Sequence, residues 1–363
     1  MKNFSIAVIP GDGIGREVTP EGIRLLDAVG EISGAYAFTY EYFPWGSEYY
    51  LQTGKMMDDR GLEILKPFDA IFFGAVGDPA RVPDPISLSG LRLKICQGFD
   101  QYVCMRPSLL LPGLPSPLAG KKPGDIDLIV IRENTEGEYT GAGGRAHPGL
   151  PIEVAVETSV FTRTAVERII RYAFELAARR ERKHLISSSK SNAQRHIFSF
   201  WDEIFAQTAL EYPTVTTERV LIDALCARFV LKPESIDVVV ASNLHADILT
   251  DIGGAISGSL GVAASTNINA ERLYPSMFEP VHGSAMDIFG KGIANPIGQI
   301  WSGALMLDFL GFPREHDLIL HAIKAVTGEG RPLTPDLGGN ATTKEVTDAI
   351  MAKARVLAGA NLV

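Results

Sequence analysis

The sequence predicts an α/β layered fold of two domains, and two observations support this prediction. Short apolar runs alternate with longer segments whose apolar residues recur at three-to-four spacing, which is the pattern of strands alternating with amphipathic helices. At 363 residues the chain is too long for one ordinary hydrophobic core. No internal repeat or low-complexity linker interrupts it. We therefore expect two domains with a cleft suited to a small molecule.

The individual elements follow from these periods. The candidate strands are residues 5–9, 70–73, 127–131, 185–187, 220–222 and 236–241. The clearest helical patterns are residues 20–29, 162–179, 199–210 and 343–357. The glycine- and proline-rich segment 140–156 fits neither period, and we interpret it as a projecting loop or arm. Composition alone leaves a simple surface excursion equally open.

Composition limits the cellular context and the partners. No apolar run reaches the roughly 20 residues that a membrane span needs, and the short apolar run at 6–9 does not resemble a signal peptide. A cytoplasmic protein without a membrane partner is expected. The net charge of −9 argues against nucleic acid, which requires a basic face. It also means that an anionic substrate must be captured by a local group of arginines.

The three cysteines are Cys96, Cys104 and Cys226. Their number is odd and their spacing is not that of a zinc site, so neither a disulfide framework nor a zinc site is predicted. We expect reduced packing residues.

Two carboxylates follow the apolar run 236–241. Asp247 and Asp251 are four positions apart, so they share one face if this segment is a helix. The carboxylate oxygens of these two residues would then lie together in a helix that follows a buried strand. Such oxygen ligands suit a hard divalent cation such as Mg²⁺ or Mn²⁺. An enzyme is therefore the leading interpretation.

The glycine loop Gly11-Asp12-Gly13-Ile14-Gly15 follows the first strand and precedes a helix. The dinucleotide fingerprint of a Rossmann domain requires a third glycine where this chain has Arg16. No acidic residue closes a clear second strand at the expected distance. The loop can still approach a ligand with its backbone, but a Rossmann fold is not predicted.

Four further side chains are candidates for substrate chemistry. Arg106 and Arg132 end their elements, and guanidinium forks recognise carboxylates with two parallel hydrogen bonds. Tyr139 could act as a general acid in a cationic pocket, and Lys190 as a base if nearby charge lowers its pKa. Taken alone, each of the four is more often an ordinary surface or packing residue.

The loop around His282 is the last candidate. It is rich in glycine and proline, and Asp287, Ile288 and Asn295 follow it closely. An aspartate beside an adenosine ribose accepts a hydrogen bond from the 2′-hydroxyl and repels a 2′-phosphate, which favours NAD over NADP. Without further context these residues are only turn formers.

Taken together, the motifs resemble the metal-dependent β-decarboxylating dehydrogenases, the family of isocitrate, 3-isopropylmalate and tartrate/D-malate dehydrogenases. The resemblance spans nearly the whole chain in the family's order. It rests on Gly11-Asp12-Gly13-Ile14-Gly15, Arg132-Glu133, Tyr139, Lys190-x-Asn192, Asp223, Asp247-x-x-x-Asp251, Glu279-Pro280-Val281-His282-Gly283-Ser284-Ala285 and Thr334-Pro335-Asp336-Leu337-Gly338-Gly339.

The resemblance implies an isopropylmalate dehydrogenase-like two-domain fold with a large mixed sheet flanked by helices, not a Rossmann fold. Residues 1–101 plus 257–363 would form the large domain, and 102–256 the small domain with the dimer interface and an arm near 140–156. It also implies a homodimer with shared active sites, in which Lys190 and Asp223 come from the partner subunit and Asp247 and Asp251 from the home chain.

The resemblance further assigns the ligands. NAD would lie against Ile14, His282, Gly283, Ser284, Ala285, Asp287, Ile288 and Asn295. Mn²⁺ or Mg²⁺ would be held by Asp223, Asp247 and Asp251, and K⁺ is a candidate further cofactor. Lys190 would remove the hydroxyl proton, and Tyr139 would protonate the enolate left after CO₂ departs. Arg106 and Arg132 would clamp the carboxylates of a malate-like substrate.

The substrate is expected from the segment that contacts the C3 substituent. Residues 82–93, with Ser87 facing the substrate, look most like the tartrate/D-malate branch, although Pro85 and Ser89 differ from the histidine and tryptophan expected there. Cys96 replaces a family arginine. Arg92 lies one helical turn earlier, and we expect its side chain to reach the substrate instead.

Three alternatives remain open at this point. The first is 3-isopropylmalate dehydrogenase, although the glutamate-and-leucine pocket for an alkyl group is lacking. The second is isocitrate dehydrogenase, which Ser87 and Ser89 keep in view. The third is a catalytically silent regulatory subunit. Such a subunit could have lost its catalytic acid, its base and its metal ligands, whereas this chain retains Tyr139, Lys190, Asp223, Asp247 and Asp251.

Overall fold

The computed structural model of the protein describes residues 1–360, which form two compact units. Unit 1 contains Met1–Gln101, Arg106–Ile126 and the chain from Gly254 onward, and unit 2 contains Tyr102–Met105 and Asp127–Gly253. The sequence interpretation put residues 106–126 and 254–256 in the small domain, whereas here they lie in unit 1.

Twelve strands occur among residues 1–360. They are β1 (Lys2–Gly11), β2 (Tyr36–Tyr42), β3 (Ala70–Ala75), β4 (Val103–Leu109), β5 (Asp127–Glu133), β6 (Gly137–Ala146), β7 (Val154–Val160), β8 (His184–Ser189), β9 (Thr216–Leu221), β10 (Val238–Ala241), β11 (Ala264–Ile268) and β12 (Ser276–Pro280). Each of the six predicted strand segments overlaps one of them. The predicted segment 220–222 ends one residue too late, because Ile222 already begins a helix.

Twelve α-helices occur in the same part of the chain. They are α1 (Gly15–Ser33), α2 (Ser47–Thr53), α3 (Gly61–Leu65), α4 (Asp84–Ser87), α5 (Leu93–Gly98), α6 (Arg163–Arg179), α7 (Arg195–Ala209), α8 (Ile222–Leu231), α9 (Asn243–Ile256), α10 (Ile297–Phe309), α11 (Pro313–Glu329) and α12 (Thr343–Gly359). Short 3₁₀ turns occupy Pro233–Ser235, Leu260–Val262 and Pro335–Leu337, and a π-helical turn occupies Leu88–Arg92. None of the described helices is long and apolar enough to cross a membrane.

Unit 1 is built on a mixed sheet with the strand order β2-β1-β3-β12-β11, in which only the β11–β12 pair is antiparallel. Helices α1 and α10 pack against this sheet, and α11 and α12 pack against those helices. Helix α10 is buried almost all round, which accounts for its nearly continuous apolar sequence. The predicted mixed sheet flanked by helices is confirmed.

Two glycines allow the loop after β1 to turn tightly into α1. Gly11 has a φ of +68°, and a Cβ there would lie 1.9 Å from the Ala75 carbonyl oxygen. A Cβ on Gly15 would lie 2.3 Å from the carbonyl oxygen of Pro10. Side chains are therefore excluded at both positions, and the loop lies close to Ala75, the last residue of β3.

Unit 2 contains four parallel strands in the order β5-β10-β8-β9. Helices α6, α7 and α8 pack against these strands. Parallel strands direct their carboxyl ends to one edge, and this edge carries the candidate chemistry described below.

The segment 140–156, for which a projecting loop or arm is predicted, includes parts of two strands. Strands β6 and β7 form a two-stranded antiparallel hairpin joined by residues 147–153. The glycines of β6 remove the alternation of apolar and polar residues by which a strand is recognised in a sequence. The strand still forms, because its hydrogen bonds to β7 join backbone groups. Its valines Val154, Val156 and Val160 are exposed.

Candidate active site

Four residues predicted from the sequence lie at the carboxyl edge of the unit 2 sheet. Arg132 is the penultimate residue of β5, and Lys190 directly follows β8. Asp223 lies in the first turn of α8, directly after β9, and Asp247 lies in α9, which follows β10. The strand order therefore puts Asp247 next to Arg132 and Lys190 next to Asp223.

Arg132, Asp247 and Tyr139 form one connected group. The Arg132 side chain is only 3% exposed, and its Nη1 makes an ion pair with Asp247 Oδ1. Its Nε donates a 2.8 Å hydrogen bond to Asn243 Oδ1. The Tyr139 hydroxyl donates to Asp247 Oδ2 at 3.1 Å, and the Arg132 guanidinium lies over the Tyr139 ring, 5.4 Å from its centroid. A carboxylate, a phenol and a guanidinium thus meet within hydrogen-bond distance.

Glu138 brings this group together, and the sequence interpretation gave it no role. Its carboxylate accepts hydrogen bonds from the Ser242 hydroxyl at 2.8 Å and from the backbone N–H of Leu244 at 3.1 Å. Both donors lie at the start of α9, where unpaired N–H groups and the helix dipole favour an anion. Tyr139, the next residue, is thereby held beside Asp247.

Asp247 and Asp251 lie one turn apart on α9, so the helix that the spacing required is confirmed. Asp251 is exposed and Asp247 is half-buried. Carboxylate oxygens in this arrangement fit a hard divalent cation. Within residues 1–360, no three histidine, cysteine or acidic side chains of one chain are placed to hold a metal ion.

Lys190 and Asp223 form a separate ion pair between Nζ and Oδ1. Asp223 is 65% exposed and Lys190 is 28% exposed. The hydrogen bond from Lys190 lowers the pKa of Asp223 below its ordinary value. This pair stands at the surface of the chain rather than in its interior.

Unit 1 holds the other candidate substrate residues. Arg106 is buried, and its Nε donates to the Ser265 hydroxyl at 3.3 Å. Arg92 is also buried, but its side chain is engaged with Glu279 and Asn267, two residues to which the sequence interpretation gave no substrate role. The Ser87 hydroxyl donates to the Asp84 carbonyl oxygen at 3.1 Å, within α4.

A cavity of about 410 Å³ in unit 1 contains most of the predicted cofactor residues. Ile14, His282, Ala285, Ile288 and Asn295 line it. Gly283, Ser284 and Asp287 lie on the same loop, and the Ser284 carbonyl accepts a 2.8 Å hydrogen bond from the Ile14 N–H, joining this loop to the glycine loop. The apolar wall formed by Ile14, Ala285 and Ile288 suits a flat base.

His282 supplies a polar group to this cavity. Its Nδ1 lies 3.0 Å from the Gly283 carbonyl oxygen, which can only accept, so Nδ1 carries the proton. Its Nε2 is buried and has no hydrogen-bond partner. Burial lowers the pKa of His282, so the ring is neutral at pH 7 and Nε2 is an acceptor. An exocyclic amine such as that of adenine would satisfy it.

Asp336 also lines the cavity but was missed as a site residue, although its Thr-Pro-Asp-Leu-Gly-Gly motif was visible in the sequence. Its Oδ2 accepts hydrogen bonds from Ser259 Oγ at 2.6 Å and Asn295 Nδ2 at 2.9 Å. Its Oδ1 accepts from the Thr334 hydroxyl. Asp336 therefore fixes the position of Asn295 in the cavity wall.

The chain is similar to known proteins over nearly its whole length. Residues 5–350 match the family profile described as isocitrate/isopropylmalate dehydrogenase. A probable tartrate dehydrogenase/decarboxylase of Agrobacterium vitis is 54% identical over 362 residues, covering all of both chains. The D-malate dehydrogenase (decarboxylating) of Escherichia coli K12 is 57% identical, covering 96% of this chain and 98% of that protein.

Solved structures show the same similarity. The isocitrate dehydrogenase of Methylococcus capsulatus superposes with a TM-score of 0.87 at 31% identity, covering 97% of this chain and 99% of that one. These findings confirm both the predicted non-Rossmann fold and the predicted enzyme class, a decarboxylating dehydrogenase. The chain belongs to the isocitrate/isopropylmalate dehydrogenase family.

Proposed function

We propose that this enzyme oxidises and decarboxylates malate-type 2-hydroxy diacids, most effectively tartrate and D-malate, with NAD⁺ and a divalent cation. The observation that carries the proposal is the Arg132–Asp247–Tyr139 group, which combines a carboxylate-binding cation, a metal-type ligand and a proton donor. The relatives named tartrate and D-malate dehydrogenase, at 54% and 57% identity, support the substrate class.

Arg132 and Arg106 are proposed to bind the substrate carboxylates. Both guanidiniums are buried, so their attraction for an anion is less weakened by solvent than at the surface. Arg132 is held in place by Asn243 and packs over the Tyr139 ring. A carboxylate bound to Arg132 would therefore stand beside the Tyr139 hydroxyl.

Mn²⁺ or Mg²⁺, held by Asp247 and Asp251 of one subunit and Asp223 of a second, would act as a Lewis acid that stabilises negative charge on the C2 oxygen. Both oxygens of Asp247 have partners in this structure, Oδ1 in Arg132 and Oδ2 in Tyr139. Asp247 would be a ligand of the cation, and Arg132 would bind a substrate carboxylate.

Two side chains are proposed to move protons. Lys190 takes the proton from the C2 hydroxyl as hydride leaves that carbon. Tyr139 later donates its phenolic proton to the carbon from which CO₂ has departed. The Tyr139 hydroxyl is already oriented toward the acidic cluster by its hydrogen bond to Asp247.

NAD⁺ is the proposed hydride acceptor, and its adenosine end would occupy the cavity lined by His282. The neutral imidazole would accept a hydrogen bond from the adenine amine through Nε2. Asp287 is exposed on the adjoining loop, where a carboxylate would disfavour the extra phosphate of NADP.

A homodimer with shared active sites is also proposed. Lys190 and Asp223 form an ion pair in which Asp223 is exposed and Lys190 is half-buried. The described part of one chain lacks a three-ligand metal site, which Asp223 of a second copy would complete. The β6–β7 hairpin carries exposed valines, and Leu244 and Ile248 are exposed on α9. Such apolar side chains suit an interface between copies.

The proposed function is tested by NADH formation with Mn²⁺ and K⁺ present. D-malate, the tartrate stereoisomers, 3-isopropylmalate and isocitrate are compared at equal concentration, with and without K⁺. The highest kcat/KM on D-malate or a tartrate supports the proposal. A preference for 3-isopropylmalate or isocitrate refutes the substrate while keeping the family, and absence of turnover on all of them refutes the activity.

A further inference from the structure

Glu279 and Arg92 form a buried ion pair in unit 1. Arg92 Nε donates to Glu279 Oε1 at 2.8 Å, and Arg92 Nη2 lies 2.7 Å from the same oxygen. The two side chains are only 10% and 6% exposed. Asn267 closes a triangle, since its Oδ1 accepts from Arg92 Nη2 at 3.2 Å and its Nδ2 donates to Glu279 Oε1 at 2.7 Å.

Local backbone geometry places Arg92 in this triangle. Arg92 is the last residue of the π-helical turn Leu88–Arg92, in which the Leu93 N–H bonds to the Leu88 carbonyl. Such a turn shifts the direction of the side chains around it relative to a regular helix. Cys96, one helical turn later, is fully buried in an apolar cluster with Met57 and Phe99.

The triangle lies beside Arg106 on one face of the sheet. Ser265, which accepts from Arg106 Nε, is the direct cross-strand partner of Glu279 in the β11–β12 pair. Directly opposed residues in an antiparallel pair have Cβ atoms about 5 Å apart and point to the same face. The Arg92 pair and Arg106 therefore belong to the same buried polar surface.

We propose that Glu279 is a specificity-determining residue that acts through Arg92. Arg92 can bind a carboxylate through Nε and Nη2, which lie on the same edge of the guanidinium. In this structure both atoms contact Glu279 Oε1. A guanidinium paired with a carboxylate also attracts a further anion much less than an unpaired one. Glu279 thus limits how much substrate negative charge this surface accepts and favours a diacid over a tricarboxylate. This inference rests on the proposed diacid substrate.

The test measures binding rather than turnover, on the full-length enzyme with Mn²⁺. Isothermal titration gives the Kd of D-malate and of citrate, a tricarboxylate probe. Glu279→Gln removes the negative charge and keeps the shape, so the affinity for citrate relative to D-malate is expected to rise at least about fivefold. A change within about twofold would overturn the proposal.

Two further variants separate this role from a structural one. In an Arg92→Met background, Glu279→Gln should no longer change the citrate to D-malate ratio, because Glu279 acts through Arg92. The same rise in that background would overturn the mechanism. Asn267→Asp adds a second carboxylate beside Arg92 and should lower the ratio. This variant decides the question if Glu279→Gln does not fold, and an unchanged ratio then counts against the proposal.

The outcome is independent of the proposed activity. Wild-type NADH formation from D-malate tests the function, and the ratio of binding constants tests Glu279 even if no turnover occurs. Wild-type activity with an unresponsive ratio refutes the role of Glu279 alone. If the citrate to D-malate affinity ratio rises in Glu279→Gln but the wild-type enzyme shows no turnover, the proposed diacid reaction is refuted. The role of the Arg92–Glu279 pair is then still supported.

Discussion

The Tyr139 hydroxyl donates a 3.1 Å hydrogen bond to Asp247 Oδ2, although the two residues are 108 positions apart in the chain. Glu138 makes this contact possible by anchoring the start of β6 to the N-terminus of α9. The proposed proton donor and the proposed metal ligand thus belong to one hydrogen-bonded group. Substitutions of Tyr139 and of Asp247 should therefore affect different steps of the reaction.

Asp247→Asn is expected to abolish metal-dependent turnover, lowering kcat by at least about a thousandfold. The amide retains an oxygen acceptor for Arg132 or Tyr139, so the fold should persist, but it lacks the charge that holds a divalent cation. NADH formation is titrated against Mn²⁺, and size-exclusion chromatography reports the assembly. Asp59→Asn, at an exposed carboxylate of unit 1, is the matched control. Normal turnover in Asp247→Asn would remove Asp247 from the metal site.

Tyr139→Phe is expected to slow the formation of pyruvate, the product of decarboxylation, more than it slows hydride transfer. Only the later protonation needs the phenolic proton, and general acid groups contribute about 10²–10⁴-fold to such steps. Rapid-mixing measurements compare the first NADH burst with the appearance of pyruvate from D-malate. Equal slowing of both would contradict the proposed acid role, since it would indicate a general loss of the site.

Mixing two inactive variants tests whether the active site is shared between subunits. Lys190→Met and Asp247→Asn should each be inactive alone, because each removes a group that every site needs. In a mixed dimer one site carries both changes and the other carries neither. Random subunit exchange should therefore restore about a quarter of wild-type activity. No recovery, with exchange verified by mass spectrometry of differently tagged chains, would show that both residues serve the same subunit.

His282→Leu is expected to raise the KM for NAD⁺ about tenfold, since it removes one buried hydrogen-bond acceptor while keeping bulk. His282→Gln offers a carbonyl oxygen and should recover part of that loss. The KM for D-malate serves as the internal control and should change much less. Equal KM values for NAD⁺ in all three proteins would show that His282 does not contact the cofactor.

The predicted carboxyl ends of the four parallel strands of unit 2 lie within two residues of the observed ends. The residues that follow parallel strands share one edge of the sheet, so the strand pattern alone brings the candidate residues of unit 2 to that edge. Asp247 and Asp251 also needed only helical spacing. The pairing of Arg92 with Glu279 was not predictable in this way. The two residues are 187 positions apart, and Arg92 is the last residue of a π-helical turn, which departs from regular helical spacing.

Other misses have equally local causes. Helix α10 lacks a polar face, so its period cannot be distinguished from a general apolar run. The β6–β7 hairpin contains glycines where a strand normally shows β-branched residues. In both cases tertiary contacts and backbone pairing decide the structure.

Arg180→Met tests a buried charge that supports the unit 2 sheet. Asp237 is only 1% exposed and pairs with Arg180 Nε and, at 3.3 Å, with Arg182 Nη2, beside β5 and β8. Removing Arg180 leaves a buried carboxylate with its weaker partner, which should lower the free energy of unfolding by about 3 kcal/mol. Urea denaturation measures this change. The control is Arg171→Met, which breaks an exposed pair with Glu211 and should cost less than about 1 kcal/mol. Equal losses in the two variants would mean that burial does not set the strength of the Asp237 pair.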